Sequence, residues 1–264
     1  MNRQLSFFWV CIGVLLVSGC TGTQNSHQQV ATVTKSHGAI IRGDSTTKEI
    51  ALIFTGDEFA DGGTVILETL RKHKIQASFF FTGNFYRNEN FKALIQQLKQ
   101  EGHYLGAHSD RHLLYCDWER RDSLLVSKEE FQKDLLDNYA EMEKFGIEAA
   151  DALYFLPPYE WYNDSISQWT EQMGFRLINY TPGTLSHADY TSPEMTNYRS
   201  SEAILSSIYD CEKQNGMEGF LLLSHIGVTD RRQDKFYHKL DDLILRLESR
   251  GYTFKKMDKF LKEG

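Results

Sequence analysis

The sequence predicts an α/β domain built on a parallel sheet, either open or closed into a barrel. Three observations predict it. Short apolar runs alternate with stretches of helical period along residues 48–264. The apolar runs lack the in–out alternation of a one-faced sheet, as strands covered on both faces should. Reactive polar residues also follow the strands, rather than lying within them, at four separate places.

The elements can be taken in order. Glu49 to Phe54 reads as a strand and Gly62 to Lys74 as a helix with Val65, Ile66, Leu67 and Leu70 on its apolar face. Ala77 to Phe81 is the second strand. Phe91, Leu94, Ile95 and Leu98 mark a helix that stops at Gly102. The third strand, around Leu105, releases His108 and His112, whose spacing can aim both rings at one point if the turn is helical. A loop from Leu113 to Val126 follows, and Ser127-Lys128-Glu129-Glu130 has capping-box spacing before a helix through Phe131, Leu135, Tyr139 and Met142. Strands at Ala152–Phe155 and Arg176–Asn179 flank a helix at Ser165–Met173. A helix at Glu202–Lys213, a strand at Gly219–Leu223, a helix at Phe236–Arg250 and a strand at Tyr252–Lys255 complete the chain.

The N-terminal region reads differently. Arg3, the apolar run Phe7 to Val17 and the small residues before Cys20 have the layout of a secretory signal. The cysteine resembles a bacterial lipobox, which implies removal of residues 1–19, acylation of Cys20 and a lipid anchor in a membrane, on the periplasmic or cell-surface side of a bacterial envelope. Residues 20–47 are rich in Ser, Thr, Gln and Gly and read as a flexible stalk. Cys116 and Cys211 remain in the folded part, and export permits a disulfide between them. A net charge of −7 without a basic block argues against nucleic acid as a partner. Thirteen tyrosines and seventeen phenylalanines supply a large core and suit a sugar-binding cleft. No obligate protein partner is evident.

The strand ends carry the chemistry. Asp57 and Glu58 follow the first strand, His108 and His112 the third, Pro157-Pro158-Tyr159 the fourth, and His225 the strand through Leu223. Together with the aromatic strand Ala77-Ser78-Phe79-Phe80-Phe81-Thr82-Gly83, this order resembles the polysaccharide deacetylase family, carbohydrate esterase family 4, from about Glu49 to Phe260. The resemblance implies a distorted, incomplete (β/α) barrel of parallel strands. It also implies a divalent metal, usually zinc with cobalt, nickel or manganese as alternatives, and hydrolysis of acetyl groups from an acetylated oligo- or polysaccharide, most often at N-acetylhexosamine. Carried over residue by residue, it makes Asp57 the general base, Glu58, His108 and His112 the metal ligands, His225 the general acid and the Tyr159 N–H an oxyanion donor.

Three departures accompany the resemblance. Glu58 stands where the family has Asp, so Asp57 could take the metal and the base role move to Glu58 or elsewhere. Leu156 stands where an arginine would orient the base, leaving Arg111, Arg231 and Arg232 as substitutes by proximity of motif. Asn179 to Thr184 lacks the family's acid, and Asp189 is either the partner that orients His225 or an ordinary loop residue. Pro158, Glu160 and Trp161 would contact the sugar or cap the barrel rim. The sequence thus admits a deacetylase of N- or O-acetyl groups, or a glycan-binding lipoprotein that has lost catalysis.

Overall fold

The computed structural model describes Met1 and residues 33–261. The signal sequence 1–19, Cys20 and the stalk as far as residue 32 lie outside the described residues, Met1 apart.

In chain order the elements are β1 (Thr34–Ser36), β2 (Ala39–Arg42), β3 (Glu49–Gly56), α1 (Gly63–His73), β4 (Ser78–Phe81), α2 (Gly83–Arg87), α3 (Lys92–Gln100) and β5 (Tyr104–Ala107). They continue with α4 (Lys128–Glu143), β6 (Tyr154–Phe155), α5 (Asp164–Gln172), β7 (Arg176–Leu177), α6 (Ser201–Asn215), β8 (Phe220–His225), α7 (Leu240–Ser249), β9 (Thr253–Phe254) and α8 (Met257–Phe260). The strands form one sheet in the order β1-β2-β8-β3-β4-β5-β6-β7, with β9 added to β3. From β8 to β7 every pairing is parallel. The sheet curls until Ile178, just after β7, bridges Ile40 of β2. A single bridge closes the circle, which makes this the distorted, incomplete barrel that the resemblance implies.

Alternate residues of each strand serve two cores, which is why the strands read as continuous apolar runs. Ala51, Ile53, Phe80, Leu221 and Leu223 join the smaller cluster with Ile40, Leu156 and Ile178. Ile50, Leu52, Phe54, Phe79 and Phe81 join the larger one, packed against the helices. The last helix, α8, plugs the end at which β4 begins: the Met257 N–H donates to Ser78 Oγ at 2.9 Å, and Tyr154 donates to the Leu261 carbonyl at 2.8 Å. That leaves the opposite end, where the parallel strands finish, open for a site.

The expected stalk needs correction. Residues 34–42 are a hairpin, not a tether, because Ala39 and Ile40 are buried and β2 covers the edge of β8. Arg42 Nε donates to the Glu218 carbonyl at 2.7 Å and holds the hairpin there. The Ser-Thr-Gln composition around it masks a three-residue apolar core too short to show a period. The expected helix from Phe236 begins as a 3₁₀ turn, Phe236–Lys239, before α7. Cys116 and Cys211 are both buried free thiols, so the permitted disulfide does not form.

Candidate active site

The strand ends open into a cleft of about 1300 Å³ lined by Asp57, Glu58, His108, His112, Tyr159, Glu160, Trp161 and His225. Parallel strands in register explain why residues so distant in sequence share one cavity. Thr55 lies beside His225 across β3 and β8, and Ala107 beside Phe155 across β5 and β6.

Asp57 is held without an arginine. Thr82 Oγ1 donates to its Oδ1 at 2.7 Å, and Asn84 Nδ2 approaches the same oxygen at 3.3 Å. Thr82 is also the N-cap of α2, accepting from the Phe85 N–H at 3.1 Å, so one hydroxyl starts the helix and holds the Asp57 carboxylate. Leu156 is fully buried in the smaller core. None of the three candidate arginines replaces the missing one. Arg232 is buried and donates to the Thr191, Arg199 and Asp234 carbonyls. Arg111 is exposed, its nearest acid being Asp134, and Arg231 sits exposed on the cleft lining.

The histidine segment is not helical. Ser109 and His112 take left-handed backbone, with φ of 76° and 56°, and α4 compels that path. Asp134, fully buried, accepts from Ser109 Oγ at 2.6 Å, Tyr115 OH at 2.7 Å and the backbone N–H groups of Asp110 and Arg111 at 3.3 and 3.2 Å. One turn further on, Asn138 Oδ1 accepts from the His108 N–H at 2.8 Å. The two rings end with centroids 5.1 Å apart. His108 Nδ1 donates to the Leu156 carbonyl at 2.8 Å, which leaves Nε2 for a ligand. Burial, with the neighbouring His112, holds the His108 pKa well below the ordinary histidine value, and burial lowers His112 against the opposing charge of Asp57. Both shifts favour the neutral imidazole, the form that binds metal. Among the described residues, however, no three His, Cys, Asp or Glu groups stand close enough to hold an ion. Glu58 lines the same cleft from an exposed position. The donor set fits a divalent metal in kind, with the histidines placed and the carboxylate not gathered to them.

In the same cleft, His225 is clamped by Asp189, from the 3₁₀ turn Ser186–Tyr190. Its ring Nδ1 lies 2.6 Å from Asp189 Oδ1, and its backbone N–H donates to Oδ2 at 2.9 Å. Burial lowers the His225 pKa, but Asp189 and then Glu160 outweigh it, so the imidazolium is favoured. Of the two sequence readings of Asp189, the structure selects the histidine partner.

The turn Pro157–Trp161 supplies the remaining wall. Tyr159 has φ 58° and ψ 10°, and its N–H meets no acceptor among the described residues. Its ring lies 4.4 Å from that of His112 and 5.6 Å from Trp118. Pro158, expected at the substrate, is buried and off the cleft lining; its ring presets the first position of the turn. Trp161 lines the cleft, with one face covered by Arg121 at 3.8 Å and Nε1 bonded to the Asp117 carbonyl.

A sequence model of the family described as polysaccharide deacetylase matches residues 42–178. The chain belongs to that family. The match takes in Asp57, His108 and Tyr159, whereas the His225–Asp189 pair of this polysaccharide deacetylase family member lies beyond it. The peptidoglycan N-acetylmuramic acid deacetylase PdaA of Bacillus subtilis is 26% identical over 238 residues, 89% of this chain and 80% of that one. A peptidoglycan N-acetylglucosamine deacetylase of Bacillus cereus is 25% identical over 197 residues, 75% of this chain and 80% of that one. The solved structure of PdaA from Bacillus subtilis shares the fold, with a TM-score of 0.63 at 24% identity over 85% of each chain. So does BA3943 of Bacillus anthracis, a family 4 pseudoenzyme, with a TM-score of 0.66 at 18% identity over 87% of this chain and 70% of that one.

Four contributors escape a reading of motifs alone. Asp134 and Asn138 lie inside α4, where the apolar period draws attention elsewhere. Trp118 is an exposed aromatic in a loop, 5.6 Å from Trp161. Thr82 lies within the quoted strand motif, and its position before Gly83-Asn84 is an N-cap signal.

Proposed function

We propose that this chain hydrolyses acetyl groups on a glycan, at N-acetylhexosamine of the kind that peptidoglycan contains. The observation that carries the reading is the convergence of Asp57, His108, His112 and the Asp189-bonded His225 on one cleft. The names of the similar peptidoglycan deacetylases support the glycan class.

In this reading Asp57, oriented by Thr82, takes a proton from the attacking water. The Tyr159 N–H donates to the oxyanion that develops on the acetyl carbon, in a turn preset to present it. His225 donates its proton to the leaving nitrogen, and Asp189 holds the ring in place while it does so. A divalent metal, zinc or alternatively cobalt, nickel or manganese, would be held by His108 and His112 with Glu58, and when bound supplies Lewis acidity to the acetyl oxygen and the water. The partly exposed aromatic side chains Trp118, Tyr159 and Trp161 suit stacking against sugar rings. Acylation of Cys20 would keep the domain at the bacterial envelope, where such glycans are; that part of the proposal rests on the lipobox-like sequence alone.

A catalytically silent glycan binder is the second reading, favoured by Leu156 in place of an arginine and by the ungathered third donor. Acetate release separates the two. The metal-loaded protein should release acetate from N-acetylglucosamine oligomers, and chelation should stop it. Tight glycan binding without acetate from these oligomers, peptidoglycan or acetylated xylan would establish the binder instead.

A further inference from the structure

The cleft holds an acid that this hydrolysis does not use. Glu160 follows Tyr159 in the Pro157–Trp161 turn, and it too is left-handed, with φ 54°. Two consecutive non-glycine residues in that region are strained, and such strain gathers at functional sites. Asn179 Nδ2 donates to the Glu160 carbonyl at 2.8 Å, which fixes the backbone. Its side chain is half-buried and lines the cleft, yet no described residue donates a hydrogen bond to the carboxyl. Shielding a carboxyl without a partner is unfavourable for the fold alone, so the group is placed for something that enters the cleft. The charged groups that act on it are His225 and Asp189, the pair that protonates the leaving group.

We propose that Glu160 receives the amino group released by deacetylation, pairing with the product ammonium, a role that N-acetyl substrates call on and O-acetyl substrates do not. This rests on the deacetylase reading. Burial raises the Glu160 pKa to about 7; His225 opposes the rise and Asp189 adds to it. The group can thus give up a proton near neutrality. When the C–N bond breaks, the nitrogen takes the proton of the His225 imidazolium, giving a free amine and acetic acid. Glu160 then protonates the amine, and the resulting carboxylate faces an ammonium. The proton that Asp57 took from water and the one that acetic acid loses restore His225 and Glu160. The net reaction is amide plus water giving ammonium plus acetate. An acetate ester leaves as a neutral alcohol after a single proton transfer and has no use for the second acid.

The test uses the full chain and two probes, the glucosamine tetramer and the N-acetylglucosamine tetramer, titrated calorimetrically at neutral pH. The wild type should prefer the amine, and Glu160→Gln should lose roughly 10- to 100-fold of that preference, the range of a hydrogen bond between charged groups. The kcat for N-acetylglucosamine oligomer should fall relative to that for acetylated xylan, and Glu160→Asp, which keeps the charge, should recover part of both. Circular dichroism confirms that the variants fold, and if the Gln variant fails to fold the Asp variant carries the comparison. Wild-type acetate release with an amine preference that the variants leave unchanged would overturn the role of Glu160 alone. Absence of acetate release from the wild type would overturn the deacetylase reading, and this one with it.

Discussion

Replacing Asp189 by Asn tests whether His225 works as an acid. Asp189 is 3% exposed, and its two oxygens hold both the ring Nδ1 and the backbone N–H of His225. The amide keeps one acceptor but loses the charge that favours the imidazolium. A hydrogen bond to a charged group is worth roughly 1.5–3 kcal/mol, and each factor of ten in rate corresponds to about 1.4 kcal/mol. The expected loss in kcat at neutral pH is therefore roughly 10- to 100-fold. The pH profile gives the sharper reading. Activity that needs the imidazolium is present at low pH and is lost as pH rises through the His225 pKa, which Asp189 and Glu160 hold above the ordinary histidine value against burial. Without Asp189, burial weighs more heavily against the imidazolium, and the basic limb should move to lower pH. Stability follows the same sign: the raised pKa stabilises the fold fully below the unfolded value, and that contribution fades as pH rises through the folded one. The gap in urea stability between wild type and variant should accordingly narrow as pH rises. Acetate release measured from pH 5 to 10 decides the matter. A folded variant whose basic limb stays in place would refute the assignment of His225 as the acid supported by Asp189.

Two further substitutions probe the scaffold. Thr82→Ala should lower kcat about tenfold by freeing Asp57, and lower stability by about 1 kcal/mol through the lost N-cap of α2; Thr82→Ser should restore both, and acetate assays paired with urea titrations check it. Asp134→Ala strands two hydroxyls and two backbone N–H groups behind the histidine segment and should destabilise the fold by about 3 kcal/mol or more, read as the urea midpoint; a loss below about 1 kcal/mol would show that the segment holds itself.

Much of the fold is legible in local pattern. The strand from Glu49 and the aromatic strand through Phe81 are apolar on both faces, and the structure gives each face its own core. The capping box at Ser127 and Glu130 forms as its spacing predicts. Elements that depend on distant partners are the ones that local pattern hides. The β1–β2 hairpin exists because β8 offers an edge, and α2 is too short to have a period. The path of the histidine segment is likewise dictated from α4, 25 to 30 residues onward, through Asp134 and Asn138.

The sequence by itself determined the strand order of the chemistry: Asp57 and Glu58, then His108 and His112, then Tyr159, then His225, each just past an apolar run. Alternation of strands and helices forces parallel pairing, and parallel pairing puts all the strand ends on one side. Only the tertiary structure decided what each residue touches there. It made Asp189 the partner of His225, gave Asp57 Thr82 and Asn84 as partners, took Pro158 off the cleft lining and kept Glu160 on it. These outcomes depend on contacts and backbone angles that arise when remote segments pack, and short-range sequence pattern does not record them.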